Sequence, residues 1–144
     1  VERSRGLGDV YKRQGFNFTI FCPTEWKEKY LNKLKEYEIS IDINEIVKST
    51  IDEKTLSKAD VIMTDTWQSM GDQYNSDELS ILNEFKVTNS IMNLAKKESI
   101  FMHCLPANRN QEVEKEVIDG SQSRVWQEAS NRLHVQKQIL KNYI

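Results

Sequence analysis

The run Ile100-Phe101-Met102-His103-Cys104-Leu105-Pro106 constrains this 144-residue chain more than any other stretch. Ile100 to Met102 reads as the end of a buried strand. The strand empties into a thiol and an imidazole side by side. Pro106 cannot donate to a sheet ladder, so pairing stops there. In open parallel α/β sheets, ligands sit outside the carboxyl ends of strands, where His103 and Cys104 fall.

Around this run, strand and helix signals alternate from Gly15 onward. Phe16, Phe18 and Ile20 alternate with polar residues as a half-buried strand that Pro23 ends. Thr24 can cap a helix carrying Trp26, Tyr30, Leu31 and Leu34 on one face. Ile39, Ile41 and Ile43 predict a second strand. A short helix near Glu53 to Lys58 leads to an apolar strand core, Val61-Ile62-Met63. Ser76 and Thr88 or Asn89 are positioned to begin two further helices. A short helix near Val113 to Ile118 and a turn at Asp119-Gly120 come next. Ser123 to Trp126 is predicted as a last strand, followed by an amphipathic helix with Ala129, Leu133, Leu140 and Ile144.

Alternation of this kind predicts an α/β fold, a Rossmann-like parallel sheet with helices on both faces. The strands ending at Cys22, Thr64 and His103 are expected in one sheet. No Gly-rich strand-turn-helix precedes Phe16, so the first strand-helix unit of such a sheet is missing from this sequence.

A second strand exit carries Asp65-Thr66-Trp67-Gln68-Ser69-Met70-Gly71. A carboxylate there suits a cationic amine, because charge-assisted hydrogen bonds are about twice as strong as neutral ones. Asp65 alone could equally be a turn or cap residue. Cys104 alone could be an inert small hydrophobe. Together, at two neighbouring strand exits, they describe a site. The opening of the last helix, Glu128-Ala129-Ser130-Asn131-Arg132-Leu133-His134, is the third motif. Its arginine could be an ordinary helix-surface residue. His103 reads as a strand-end hydrogen-bonding residue and His134 as a helix partner. Trp67 and Trp126 are expected to pack. Zinc is set aside because His103, Cys104, His134 and Cys22 match no zinc spacing.

These three motifs, in this order, resemble those of the ornithine carbamoyltransferases. His-Cys-Leu-Pro resembles the family signature, whose aspartate-using relatives typically have Pro in place of Cys104. The loop at Asp65 resembles Asp-x-Trp-x-Ser-Met-Gly, by which the family holds its amino-acid substrate. The resemblance implies that Asp65, Ser69 and Met70 bind ornithine, and that Cys104, Leu105 and Arg132 contact carbamoyl phosphate. Cys104, Arg132 and Asp65 are thereby the expected catalytic residues, with Cys104 positioning and not attacking. Arg132 would polarise the carbonyl and stabilise the oxyanion. Ser130 replaces the family's usual Glu, and Asn108 stands where His or Tyr is common.

Domain expectations follow. Residues 15–144 resemble most of the amino-acid-binding domain of a carbamoyltransferase. Residues 1–14, VERSRGLGDVYKRQ, have no periodicity and resemble translated adapter sequence, so they are set apart as a non-native leader. The family's Ser-x-Arg-Thr-Arg phosphate loop and His-Pro-x-Gln segment do not occur in this sequence, so the fragment alone is expected to be inactive. The implied reaction is carbamoyl transfer from carbamoyl phosphate to ornithine, giving citrulline and phosphate, with no cofactor and no metal. The implied assembly is a homotrimer or a multiple of trimers. A relative acting on putrescine or an acylated ornithine is the nearest alternative, and a non-catalytic Rossmann-type ligand-binding module is another.

Composition narrows the remaining classes. The chain is 38% hydrophobic and 29% charged with a net charge of −2, which fits a globular domain and offers no basic footprint for nucleic acid. No apolar stretch approaches the roughly 20 residues of a membrane span. Two cysteines without a Cys-x-x-Cys spacing read as a reducing, cytoplasmic setting.

Overall fold

The structure, a computed structural model, describes residues 15–28, 32, 46–68 and 75–143. The chain divides into two compact units, residues 1–51 and 52–144.

In the first unit, β1 (Ile20–Phe21) pairs in parallel with β2 (Val47–Lys48), Ile20 opposite Val47. The Cys22 amide extends the ladder by donating to the Lys48 carbonyl at 3.1 Å. Pro23, buried and without an amide proton, ends the strand and turns the chain into a helical segment at residues 24–28. The ladder is shorter than the alternation from Phe16 predicts, and Phe16 is exposed. The strand predicted at Ile39 to Ile43 lies outside the described residues.

The second unit is built on β3 (Val61–Thr64) and β4 (Ile100–His103), parallel and in register from Val61 opposite Ile100 to Thr64 opposite His103. The far side of β4 carries one more parallel bridge, Phe101 to Ser123, in which Phe101 receives from Arg124 and donates to Gln122. β4 is therefore flanked on both edges, and Phe101 is fully buried. Among the described residues the ladders form two two-stranded parallel pairs, one in each unit; the single sheet expected through Cys22, Thr64 and His103 would have to span both.

Two further expectations are corrected. Of Val61-Ile62-Met63 only Ile62 is buried, because β3 alternates and turns Val61 and Met63 outward. Ser123 to Trp126 is a one-residue bridge and not a strand, since helix α5 begins at Val125.

Helices complete the unit. α1 (Glu53–Leu56) is capped by Asp52, which accepts from the Thr55 amide at 2.7 Å. α2 (Ser76–Asn83) is capped by Asn75 and not by Ser76, with Glu78 returning a bond to the Asn75 amide as a capping box. α3 (Asn89–Leu94) starts after Thr88, as its sequence predicts. α4 (Lys115–Ile118) ends at Gly120, where a side chain would run into the Glu116 carbonyl. α5 (Val125–Tyr143) closes the chain. Leu56, Ile62, Leu82, Val87, Met92, Phe101, Val113, Val117, Ile118 and Val125 form the buried apolar set. Among the described residues, no helix is long and apolar enough to cross a membrane.

Candidate active site at the carboxyl ends of the paired strands

The β3–β4 register fixes the centre of the site. Thr64 lies opposite His103, so the next residues, Asp65 and Cys104, leave the ladder side by side at its carboxyl end. The Cys104 thiol donates to Asp65 Oδ1 at 2.8 Å. The same oxygen accepts the Thr66 amide at 2.7 Å, which holds the carboxylate at the strand exit. Asp65 thus makes a turn-type bond and faces the thiol at once.

The loop after β4 is tightly specified. His103 is fully buried; its amide donates to Glu128 Oε2 at 3.1 Å, and its Nδ1 accepts the Leu105 amide at 2.9 Å. Leu105 has φ +54°, a left-handed conformation that a branched side chain resists. The Leu105–Pro106 peptide is cis. Asn108 reaches back to Thr66 Oγ1 at 3.3 Å, tying the two strand-exit loops together.

Electrostatics follow from this crowding of acids. Partial burial pushes the Cys104 thiol up to about 12, helped by its hydrogen bond to Asp65 and by the nearby charges of Asp65 and Glu128. At neutral pH the sulfur is a protonated donor and not a thiolate nucleophile. A cation placed here would meet two carboxylates and a polarisable thiol.

Arg132 is exposed on α5 and makes no ion pair with a described residue. It follows Glu128 by four residues, so it lies one turn further along the same side of the helix. Asp65, Cys104 and Leu105 are brought together; Arg132 is aligned with them only through Glu128. Ser69 and Met70 lie outside the described residues. Trp126 is 64% exposed and does not pack, since Val125 takes the inward position of that turn. Trp67 lines a shallow cavity of about 370 Å³ with Leu79, Asn83 and Arg109. Arg109 is engaged elsewhere, in a two-pronged pair with Asp119 at 2.8 and 3.0 Å that holds the Asp119 carboxyl below its usual range. Among the described residues, no three His, Cys, Asp or Glu side chains group as metal ligands.

Sequence reasoning missed the acids behind the site. Glu128 bonds the His103 backbone, and Glu112, fully buried, stands 3.3 Å from His103 Nε2. Glu128 opens the third motif and lies in the first turn of a helix, which is the signal that could have found it; Glu112 carried none.

Residues 5–143 match the family profile of the aspartate/ornithine carbamoyltransferase, Asp/Orn binding domain. The chain is 43% identical over 131 residues to the ornithine carbamoyltransferase of Rhodopseudomonas palustris (strain BisA53), covering 91% of this chain and 42% of that protein. It therefore spans about two fifths of that relative's length. Among solved structures, ornithine carbamoyltransferase from Pyrococcus furiosus is 45% identical over 61% of this chain and 28% of its own, with a TM-score of 0.56. An N-acetyl-L-ornithine transcarbamylase complexed with carbamyl phosphate and N-succinyl-L-norvaline is 26% identical over 94% of this chain and 42% of its own, with a TM-score of 0.68.

Proposed function

The chain belongs to the aspartate/ornithine carbamoyltransferase family, and on that footing we propose that residues 15–144 are the amino-acid-binding part of an ornithine carbamoyltransferase. The whole enzyme transfers a carbamoyl group from carbamoyl phosphate to the δ-amine of ornithine. The amine nitrogen bonds to the carbonyl carbon, the carbon–oxygen bond to phosphate breaks, and the amine gives up a proton. Citrulline and phosphate are the products, in the service of arginine metabolism. The full protein works in the cytoplasm as a homotrimer or a multiple of trimers.

One observation carries this reading: the 2.8 Å contact between Asp65 and Cys104 at the exits of two in-register parallel strands. In the proposed roles, Asp65 attracts the cationic end of ornithine, and Cys104 with the Leu105 carbonyl positions the amine and the carbamoyl group. Ser69 and Met70 hold the amino-acid head. Arg132 polarises the carbonyl and stabilises the developing oxyanion. Holding both reactants in line supplies much of the acceleration, so a protonated thiol suffices and no covalent step is needed.

The likeness to an N-acetyl-L-ornithine transcarbamylase favours a second reading, an acylated ornithine as acceptor. The test is carbamoyl transfer from carbamoyl phosphate by a full-length protein carrying this chain, with ornithine, N-acetylornithine and putrescine offered in parallel and citrulline, N-acetylcitrulline and N-carbamoylputrescine measured as the respective products. Preference for ornithine supports the first reading. Preference for N-acetylornithine selects the second, and no transfer to any acceptor refutes both.

A further inference from the structure

One buried carboxylate oxygen lies at both ends of the loop that carries Cys104, bonded to one end and close to the other. Glu112 Oε1 accepts the Asn108 amide and stands 3.3 Å from His103 Nε2. His103 is the last residue before Cys104, and Asn108 closes the loop four residues after it. Glu112 and His103 are both fully buried. Glu112 is itself anchored through its backbone, whose carbonyl accepts the Val87 amide at 3.0 Å beside the Val87–Val113 bridge.

The imidazole has a defined task in this arrangement. Nδ1 accepts the Leu105 amide at 2.9 Å, so its lone pair is committed and the ring proton belongs on Nε2. Glu112 Oε1 stands 3.3 Å from that nitrogen, a close electrostatic contact without the alignment of a hydrogen bond. Acceptor at one nitrogen and donor at the other is what a carboxylate beside an imidazole enforces. Leu105 needs such support, because its φ of +54° is unfavourable for a leucine.

We propose that Glu112 is a positioning residue of the active site: through His103 it fixes the ring tautomer that holds Leu105 in its left-handed turn, and so aims Cys104 at Asp65. This rests on the site assignment above, and it adds a residue that touches neither substrate.

Three measurements test it. In this chain, with His134→Gln to leave one histidine, ¹⁵N NMR should find His103 protonated at Nε2 and bare at Nδ1 at neutral pH. A proton on Nδ1 overturns the proposal, whatever the variants do. Next, in a Cys22→Ser background, the reaction of Cys104 with a disulfide reagent at pH 8 should be at least about tenfold faster in Glu112→Leu. Glu112→Gln keeps an acceptor oxygen in place and should stay within about twofold of the parent. Unchanged labelling in Glu112→Leu, or equal acceleration in Glu112→Gln, overturns it.

Finally, in a full-length carbamoyltransferase carrying this chain, Glu112→Leu should lower kcat about a hundredfold, the scale of a 1 Å misplacement, with rescue by Glu112→Gln. A full-length parent without carbamoyl transfer refutes the functional reading, while the NMR and labelling results still decide the role of Glu112. Normal kcat in a folded Glu112→Leu enzyme overturns the positioning role.

Discussion

The β3–β4 edge and the outer part of α5 are built on opposite plans. At the edge, every chemically interesting residue is held by a neighbour: Asp65 by the Thr66 amide, His103 by Glu128, Leu105 by His103, Asn108 by Glu112. Along α5, Val125 is fully buried, yet residues 129–143 are all exposed, with Leu133, Val135, Ile139 and Leu140 more than half so. The difference separates two ways of placing a functional group. Asp65 and Cys104 owe their positions to ladder bonds within one unit. Arg132 owes its position to helix geometry alone.

The sharpest attack on the contrast is Phe101→Ala. Phe101 is fully buried in the strand flanked on both edges, and its loss should destabilise this chain by about 3–5 kcal/mol in chemical denaturation. A loss below about 1 kcal/mol would mean the β4 region is not the rigid half. Arg132→Ala probes the other side. In a full-length carbamoyltransferase carrying this chain, it should lower kcat about 10²–10³-fold with ornithine saturating, as removal of an oxyanion donor does. The stability of the chain should not change, because Arg132 has no described partner to lose. If kcat holds, Arg132 is a surface arginine and α5 contributes nothing to the site.

Asp65→Asn should weaken ornithine use by about 1.5–3 kcal/mol, roughly tenfold to a hundredfold in kcat/KM. Unchanged kinetics would reduce Asp65 to the cap of its own turn. A pH titration reaches the same contact. The ordinary thiol value is 9.0 and the folded value of Cys104 is about 12, so the folded state keeps a proton that the unfolded state releases. Stability should therefore be unaffected near neutrality and fall as pH rises from about 9 towards 12. Cys104→Ser should lessen that alkaline loss, and an identical pH profile would contradict the raised value. The smallest effect belongs to Leu133→Ala, within about 0.5 kcal/mol on this chain, as expected for an exposed side chain. A larger drop would show that the outer part of α5 is held after all.

Much of this was legible in the sequence, for reasons that differ by residue. Pro106 and Pro23 announce strand ends because a missing amide proton is a local fact. Thr88 and Asp119-Gly120 marked a helix start and a turn for the same kind of reason. The meeting of Asp65 and Cys104 was legible because equal strand exits in a parallel pair put successive residues together. Asn75 in place of Ser76 as a cap was a choice between adjacent good candidates, settled by Glu78 three residues beyond. The strand at Ser123 failed because a single bridge needs only one correctly placed residue and leaves no alternation to read. Glu112 and Glu128 stayed hidden for a deeper reason. Their partners are nine and 25 residues from them in sequence, at His103, and nothing in a glutamate's neighbours reveals that its carboxylate is buried.

The Thr64–His103 register also dictates how the gene around this site can drift. Asp65 and Cys104 are 39 positions apart, yet the ladder sets where their backbones leave the sheet, whatever the length of chain between the two strands. Insertions and deletions beyond the Thr66 turn can accumulate in the connecting segments without moving the two backbone exits. A single codon gained or lost inside Val61–Thr64 or Ile100–His103 is a different matter. It shifts one exit by about 3.3 Å and turns its side chain to the opposite face of the sheet. The two backbone exits are thus insured against length variation over most of the chain between them and exposed to it in the eight codons of the strands.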